Sequence, residues 1–283
     1  MRQGINAAFI RSLEQGWFIP EPSLIWVIAC LVVLGVAVWF AHREIHESRV
    51  MYGAGIFALL GAFWGGHFLV VLSQPSVILE DPFRLLNFLE GGKGVFGAFL
   101  GAASVGALYL LYRRQPVLAY ADAAVPAVAL GYAVARIGCF LNGDDFGTVS
   151  SVPWAVQFPS GTEAYAAHLN RGLIEAGASF SLPVHPTQLY HSAAGLFLFF
   201  LLTRWQGWWS GSRLALALAG YGLLRFTIEW FRGDALPVIG PFHASHLFSL
   251  AFIMGACLLW AMRGREQVLH GVMRLELKSA AQE

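Results

Sequence analysis

Two arginines, Arg136 and Arg225, stand inside apolar runs of the chain. A cation within hydrocarbon is costly; it normally turns to a protein interior or a wet cavity, where it marks a binding site. At a helical rise of about 1.5 Å per residue, Arg136, Arg225, His67 and His191 each fall roughly 9–10 Å below one membrane boundary, from four different spans. Two cations in one layer suit a fixed anion between them, and the common anion of a membrane is a lipid phosphate. Arginine fits that role because its planar fork donates two parallel bonds and stays charged. Tyr221, Arg225, Glu229 and Arg232 follow at steps of four, four and three, so they share one helix face. Glu229 can pair with either arginine, which is the plain structural reading of that stripe. Arg136 has no acid within one turn of its own span, which leaves a partner from another span or a ligand phosphate. A lone helical histidine is more often a hydrogen-bonded packing residue than a catalyst, so His67 and His191 carry both readings. His185, ahead of Pro186, can simply cap a helix end.

The elements that must position these residues are membrane spans. Hydrophobic residues make up 57% of the chain and charged residues 12%, with a mean hydropathy of +0.59; a soluble domain carries about 25% charge. Seven stretches are near the ~20 residues a crossing helix needs: Leu24–Phe40, Met51–Leu72, Gly94–Tyr112, Ala121–Leu141, Gln188–Thr203, Leu214–Phe231 and Ser245–Met262. The fifth is the weakest, being short and opening in a polar motif. Of the 18 lysines and arginines, ten fall in one set of loops with the tail, six in the opposite set, and two inside spans. That bias predicts an outer amino terminus and a cytoplasmic carboxyl terminus. The first twenty residues are too polar for a cleavable signal peptide. A net charge of +1 without a basic run gives no sign of nucleic acid. Cys30, Cys139 and Cys257 all fall within apolar spans and read as small buried hydrophobes, not as a disulfide framework or metal site.

Two outer segments are long, 73–93 and 142–186. The second opens on the turn-rich Asn142-Gly143-Asp144-Asp145-Phe146-Gly147. Pro153–Pro159 alternates like a short strand bounded by prolines, and Thr162–Ala176 looks helical. Loops this long carry function or a small subdomain. The expected fold is therefore an all-α polytopic membrane protein: one transmembrane domain over 1–283, with seven transmembrane helices and a small extracytoplasmic cap at 142–187.

The same residues carry a family pattern, and the chain resembles bacterial prolipoprotein diacylglyceryl transferases. The runs Ala135-Arg136-Ile137-Gly138-Cys139-Phe140-Leu141-Asn142-Gly143-Asp144, His185-Pro186-Thr187-Gln188-Leu189-Tyr190-His191 and Tyr221–Arg232 are similar to three motifs of that family in order, spacing and membrane placement. The likeness runs from about Gly65 to the carboxyl end. Phe96 stands where the family has a histidine, Cys139 where it has an asparagine, and His191 where it has a glutamate. Gly65-Gly66-His67 takes the place of a Gly-Gly-Arg run.

The resemblance implies a reaction in the bacterial inner (cytoplasmic) membrane. A diacylglyceryl group would move from phosphatidylglycerol to a cysteine thiol in a lipoprotein precursor, and glycerol phosphate would leave. Arg136 and Arg225 would stabilise charge on the leaving group. The thiol needs help to ionise, because the thiolate is the nucleophile; His67, His191 and Glu229 are the candidate bases, His191 first because it lies within the motif. His185, Gln188 and Tyr190 would organise the site entrance, Asn142 and Asp144 would hold the cap, and Glu229 and Arg232 join the substrate-binding set. Neither metal nor cofactor is expected, and the partners are the two substrates and membrane lipids. Other readings stay open: transfer to a different acceptor, a non-catalytic phospholipid-binding paralogue, or a transporter, which the lack of repeats and broken helices argues against.

Overall fold

The computed structural model describes residues 22–74, 81, 83, 94–205, 207, 209–235 and 237–280, the side chains of 22, 23, 95 and 264–280 excepted. The amino-terminal twenty residues, most of the 73–93 segment and Gly91-Gly92-Lys93 lie outside them. The chain is mainly helical: α1 (Pro22–Glu44), α2 (Ser48–Leu72), α3 (Val95–Tyr112), α4 (Val117–Asn142), α5 (Glu163–Asn170), α6 (Thr187–Arg204), α7 (Ser212–Glu229) and α8 (Ala244–Ala280). A two-stranded antiparallel hairpin, β1 (Pro237–Ile239) and β2 (Phe242–His243), leads into α8.

Among the described residues, four helices are long and apolar enough to cross a membrane: Leu24–Glu44, Ser48–Leu72, Val117–Asn142 and Ala244–Arg263. Helices α3, α6 and α7 lie where spans were expected but fall short. Each has 18 residues, which is about 27 Å of rise against a hydrocarbon core of about 30 Å. In addition, α6 opens on Thr187-Gln188, and α7 carries Arg213, Arg225 and Glu229.

The chain divides into two compact units, Met1–Ala29 with Val128–Glu283, and Cys30–Ala127. The divisions fall within α1 and α4. In the Cys30–Ala127 unit, α2 and α3 meet backbone to backbone. Gly61 and Gly65 face Gly101 and Gly97, and a Cβ on any of the four would overlap the opposite chain. Glycine at every fourth position is what allows two helices to approach so closely. Tyr109 fills the space over Gly53 and stacks on Phe57 at 4.9 Å.

In the other unit, Gly195 of α6 fits against Ala129 and Ala133 of α4, and Ser192 Oγ donates to the Ala133 carbonyl at 2.9 Å. Gly222 of α7 fits against the Ser249 carbonyl and Ile253 of α8. The segment after α4 folds over a small core of its own: Phe146, Phe158, Ala164 and Val184, flanked by Phe140, Val156 and Ala167. His168 is buried in this segment. Burial lowers its pKa, with Arg171 adding to the effect, and neutral His168 accepts the Leu182 N–H at Nδ1 (3.1 Å).

Three sequence expectations change here. The helix expected over Thr162–Ala176 is the shorter α5. Thr162 caps it through Tyr165 N (3.4 Å), and Gly172, in left-handed backbone (φ +67), ends the run. Pro153–Pro159 forms no strand; only the single bridges Val156↔Val184 and Pro159↔Phe180 occur there, because a proline at each end has no N–H to offer a ladder. Of the three cysteines Cys139 alone is buried, while Cys30 and Cys257 lie on exposed helix faces. An apolar span places a small thiol on its outer face as readily as on its inner one.

Candidate functional site

The site is built where α4, α6 and α7 of one unit end. Arg136 sits six residues from the end of α4, one turn after Tyr132, and its guanidinium lies 4.9 Å from the Tyr132 ring centre. Tyr132 also meets His191 edge-on at 6.0 Å and Tyr221 at 5.4 Å. This tyrosine therefore ties Arg136 to α6 and α7. Sequence reading passed over it, although its i−4 spacing from Arg136 was a usable signal.

Arg136 Nη1 pairs with Asp145 Oδ2, and the other oxygen of Asp145 takes Arg232 Nη2 at 2.7 Å. Sequence reading found no acid near Arg136 in its own span; the partner comes from the turn that follows the helix. Burial pushes the Asp145 carboxyl up, but the guanidinium groups of Arg136, Arg232 and Arg225 outweigh that and hold it down at about 2. Asp144, beside it, goes the other way: burial raises it despite a hydrogen bond from Asn142 (2.7 Å). Arg232 pairs a second time with Asp234 Oδ2 at 2.6 Å and not with Glu229. Glu229 instead takes Arg225 Nη2 at 3.3 Å, one turn along the same face, while Arg225 Nη2 donates to Ser245 Oγ at 2.8 Å. Asp145, Asp234 and Ser245 were not foreseen.

The His185–Tyr190 motif holds the turn that carries Asp145. Thr187 Oγ1 donates to the Asp145 carbonyl at 2.6 Å, and Gln188 Nε2 to the Asp144 carbonyl at 2.6 Å. Gly143 (φ +71) and Asp145 (φ +55) both adopt left-handed backbone; glycine does so at no steric cost, and Asp tolerates it better than most residues. Beyond the turn, Gly147 bridges Arg232 and Val149 bridges Val184, so the segment is stitched to both neighbours. A Cβ on Gly147 would overlap the His185 carbonyl. His185 does more than cap the helix. Its Nδ1 is 3.0 Å from Tyr190 Oη, which also accepts the Trp154 indole N–H at 2.6 Å.

Several buried nitrogens here have no hydrogen-bond partner among the described residues: the donors Arg136 Nε, Arg225 Nε and Arg232 Nη1, and His191 Nε2. Buried polar atoms are normally satisfied, and unpartnered N–H groups on three guanidinium groups whose charges all act on Asp145 suit an oxyanion. The charges of Arg136, Arg225 and Arg232 all act on His191. His67 is buried in α2 and belongs to the other unit, as does Phe96, half-buried in the first turn of α3. Ligand atoms of Cys139, Asp144 and Asp145 lie within 4.8 Å of one another, but Asp145 is already shared by two arginines.

Residues 17–262 match the model of a protein family described as prolipoprotein diacylglyceryl transferase. The chain is 31% identical over 252 residues to a phosphatidylglycerol–prolipoprotein diacylglyceryl transferase of Pseudoalteromonas translucida, covering 84% of this chain and 88% of that protein. The protein of the same name from Ruegeria pomeroyi is 32% identical over 223 residues, 76% of this chain and 72% of its own. That of Corynebacterium glutamicum is 28% identical over 286 residues, 93% and 87% respectively.

Proposed function

The chain belongs to the prolipoprotein diacylglyceryl transferase family, and from that premise we propose that it moves a diacylglyceryl group from phosphatidylglycerol to the cysteine thiol of a lipoprotein precursor. The thiolate sulfur forms a bond to the glyceryl carbon, the carbon–oxygen bond to phosphate breaks, and glycerol phosphate leaves with the electron pair. The observation that carries the reading is the set of unpartnered guanidinium N–H groups on Arg136, Arg225 and Arg232. They would serve a phosphate whose charge grows as it leaves, and donors placed for developing charge are worth about 3–4 kcal/mol each. His191 lies among these three cations and contributes to the anion site. Asn142, Asp144, Thr187 and Gln188 hold the turn that aims Asp145, and His185, Tyr190 and Trp154 form one side of the entrance. Glu229 keeps Arg225 oriented.

The protein works in the bacterial inner membrane as one transmembrane domain. The short helices α3, α6 and α7 complete seven spans, the amino terminus is outside, and segment 142–187 forms an extracytoplasmic cap. The test uses purified protein, labelled phosphatidylglycerol and a cysteine-bearing peptide. Arg136→Ala and Arg225→Ala each abolish label transfer; full activity in both would exclude the phosphate clamp. Phe96, at the place of a family histidine, favours one alternative, a protein that binds the lipid without transferring it. Wild-type protein that retains labelled lipid but never labels the peptide would establish that alternative.

A further inference from the structure

We propose that His243 is the proton acceptor for the attacking thiol, held in place by Glu229. This rests on the transferase reading and names a residue that neither the family motifs nor the sequence patterns single out. His243 is the last residue of β2, immediately before α8. Its Nδ1 lies 3.5 Å from Glu229 Oε1, and the other carboxylate oxygen, Oε2, lies 3.3 Å from Arg225 Nη2. One carboxylate thus joins an imidazole to a guanidinium of the proposed phosphate clamp. A thiol and a phosphate ester must meet in one site, with the base on the attacking side of the reacting carbon and the cation on the leaving side.

The surroundings fix the backbone that carries the imidazole. The backbone N–H of His243 donates to His246 Nδ1 at 3.0 Å. His246 is itself fully buried, with the rings of Trp230 at 4.7 Å, Phe226 at 4.8 Å and Phe242 at 5.5 Å. The backbone of His243 is therefore anchored from α7 and α8 together. With Nδ1 turned to Glu229, Nε2 is the basic nitrogen, and the carboxylate stabilises the imidazolium that forms, which is the division of labour in histidine–carboxylate pairs generally. The 3.5 Å separation is longer than a formed hydrogen bond; such contacts commonly tighten only when substrate closes the site. Among the described residues, the charged and titratable groups around His243 are Glu229 and Arg225 from α7 and His246 from α8. His243 keeps 16% of its side chain exposed while Glu229 keeps 1%, so an acceptor peptide can reach the imidazole but not the carboxylate. His191, the base favoured by sequence, is only 1% exposed, so an acceptor peptide reaches it less readily than His243.

In the step, His243 Nε2 removes the thiol proton and the thiolate sulfur attacks the glyceryl carbon. The carbon–oxygen bond breaks toward the phosphate between Arg136 and Arg225, and the proton passes from His243 to the leaving phosphate or to water. No oxidant or further reactant is needed.

The experiment compares wild type, His243→Gln, His243→Asn and His243→Ala for label transfer from phosphatidylglycerol to a cysteine peptide, across pH and with added imidazole. Retention of labelled phosphatidylglycerol by each variant serves as the check on folding. A general base contributes about 10²–10⁴ in rate, so all three variants should lose at least about a hundredfold at neutral pH while retaining the lipid. Their residual rate should climb with pH as the thiol ionises unaided, and imidazole should restore part of the His243→Ala rate. A merely structural histidine would give near-normal rates in the Asn or Gln variant and no imidazole rescue; that result overturns the assignment, as does a loss equal at every pH. Variants that no longer retain the lipid would likewise assign His243 to structure. Wild type that transfers nothing would overturn the transferase reading itself, and the base assignment with it.

Discussion

Replacing Asp145 by Asn removes one negative charge from between two buried arginines and keeps the shape. The fall of the Asp145 carboxyl to about 2 corresponds to roughly 2 kcal/mol in favour of the folded, ionised form. Its side chain is 30% exposed, so solvent screening trims that figure. The same interaction can be valued from the arginine side. Arg136 and Arg232 are only 4% and 8% exposed, and a buried cation that loses its partner costs about 3–5 kcal/mol. Arg232 keeps Asp234, and the substituted amide would keep one accepting oxygen, so the lower end applies. The expected loss is about 2–3 kcal/mol at pH 6–7, read as a lower thermal midpoint in detergent. The sign with pH follows from the depressed pKa. The stabilisation is fully present above the unfolded value near 3.9 and disappears as pH falls through about 2. The gap between wild type and Asp145→Asn should therefore shrink by roughly half near pH 3 and close below pH 2. A variant that melts with wild type at pH 7, or a gap that stays constant down to pH 2, would refute the shared-carboxylate argument.

Other outcomes follow from the same geometry. Arg225→Lys keeps the charge but not the planar fork; transfer from labelled phosphatidylglycerol should fall at least about tenfold, and a wild-type rate would speak against bidentate contact. Gln188→Ala removes a 2.6 Å bond to the Asp144 carbonyl, at about 1–2 kcal/mol; it should lower both the thermal midpoint and the transfer rate, and a change in neither would show that the turn holds itself. Gly101→Val drives a branched side chain into the Gly61 carbonyl, at about 1–3 kcal/mol or more; an unchanged thermal midpoint would contradict the backbone contact.

Composition alone made the membrane class legible, because 12% charge is about half that of a typical soluble domain. Helices stand at each of the seven expected places, yet four of them meet the length and apolarity of a span among the described residues. Two of the three short ones, α6 and α7, carry polar residues of the candidate site, which is what weakens their signal. The stripe Tyr221, Arg225, Glu229 was readable because an i,i+4 relation depends only on helix period, and Arg225 does pair with Glu229. Asp145 was not readable. Its contact with Arg136 needs left-handed backbone at Gly143 and at Asp145 itself, and its carbonyl is fixed by Thr187, 42 residues away. His243 was missed for a similar reason: Glu229 reaches it only through the β1–β2 hairpin, whose register no local period encodes.

The stitching of segment 147–149 also has a consequence in time. Its first partner, Val184, is synthesised some 35 residues after Val149, but Arg232 comes 85 residues after Gly147. At roughly 5–20 residues per second, about 4–17 s separate the emergence of the turn from that of its second edge. In that interval Asp145 has Arg136 beside it but no Arg232, and the carbonyl of Phe231 that will take the Thr148 N–H (2.8 Å) does not yet exist. The turn after α4 must therefore wait, half-paired, for α6 and α7 to be made. A nascent chain stalled before Arg232 would carry both Arg136 and His191 and still lack the closed turn.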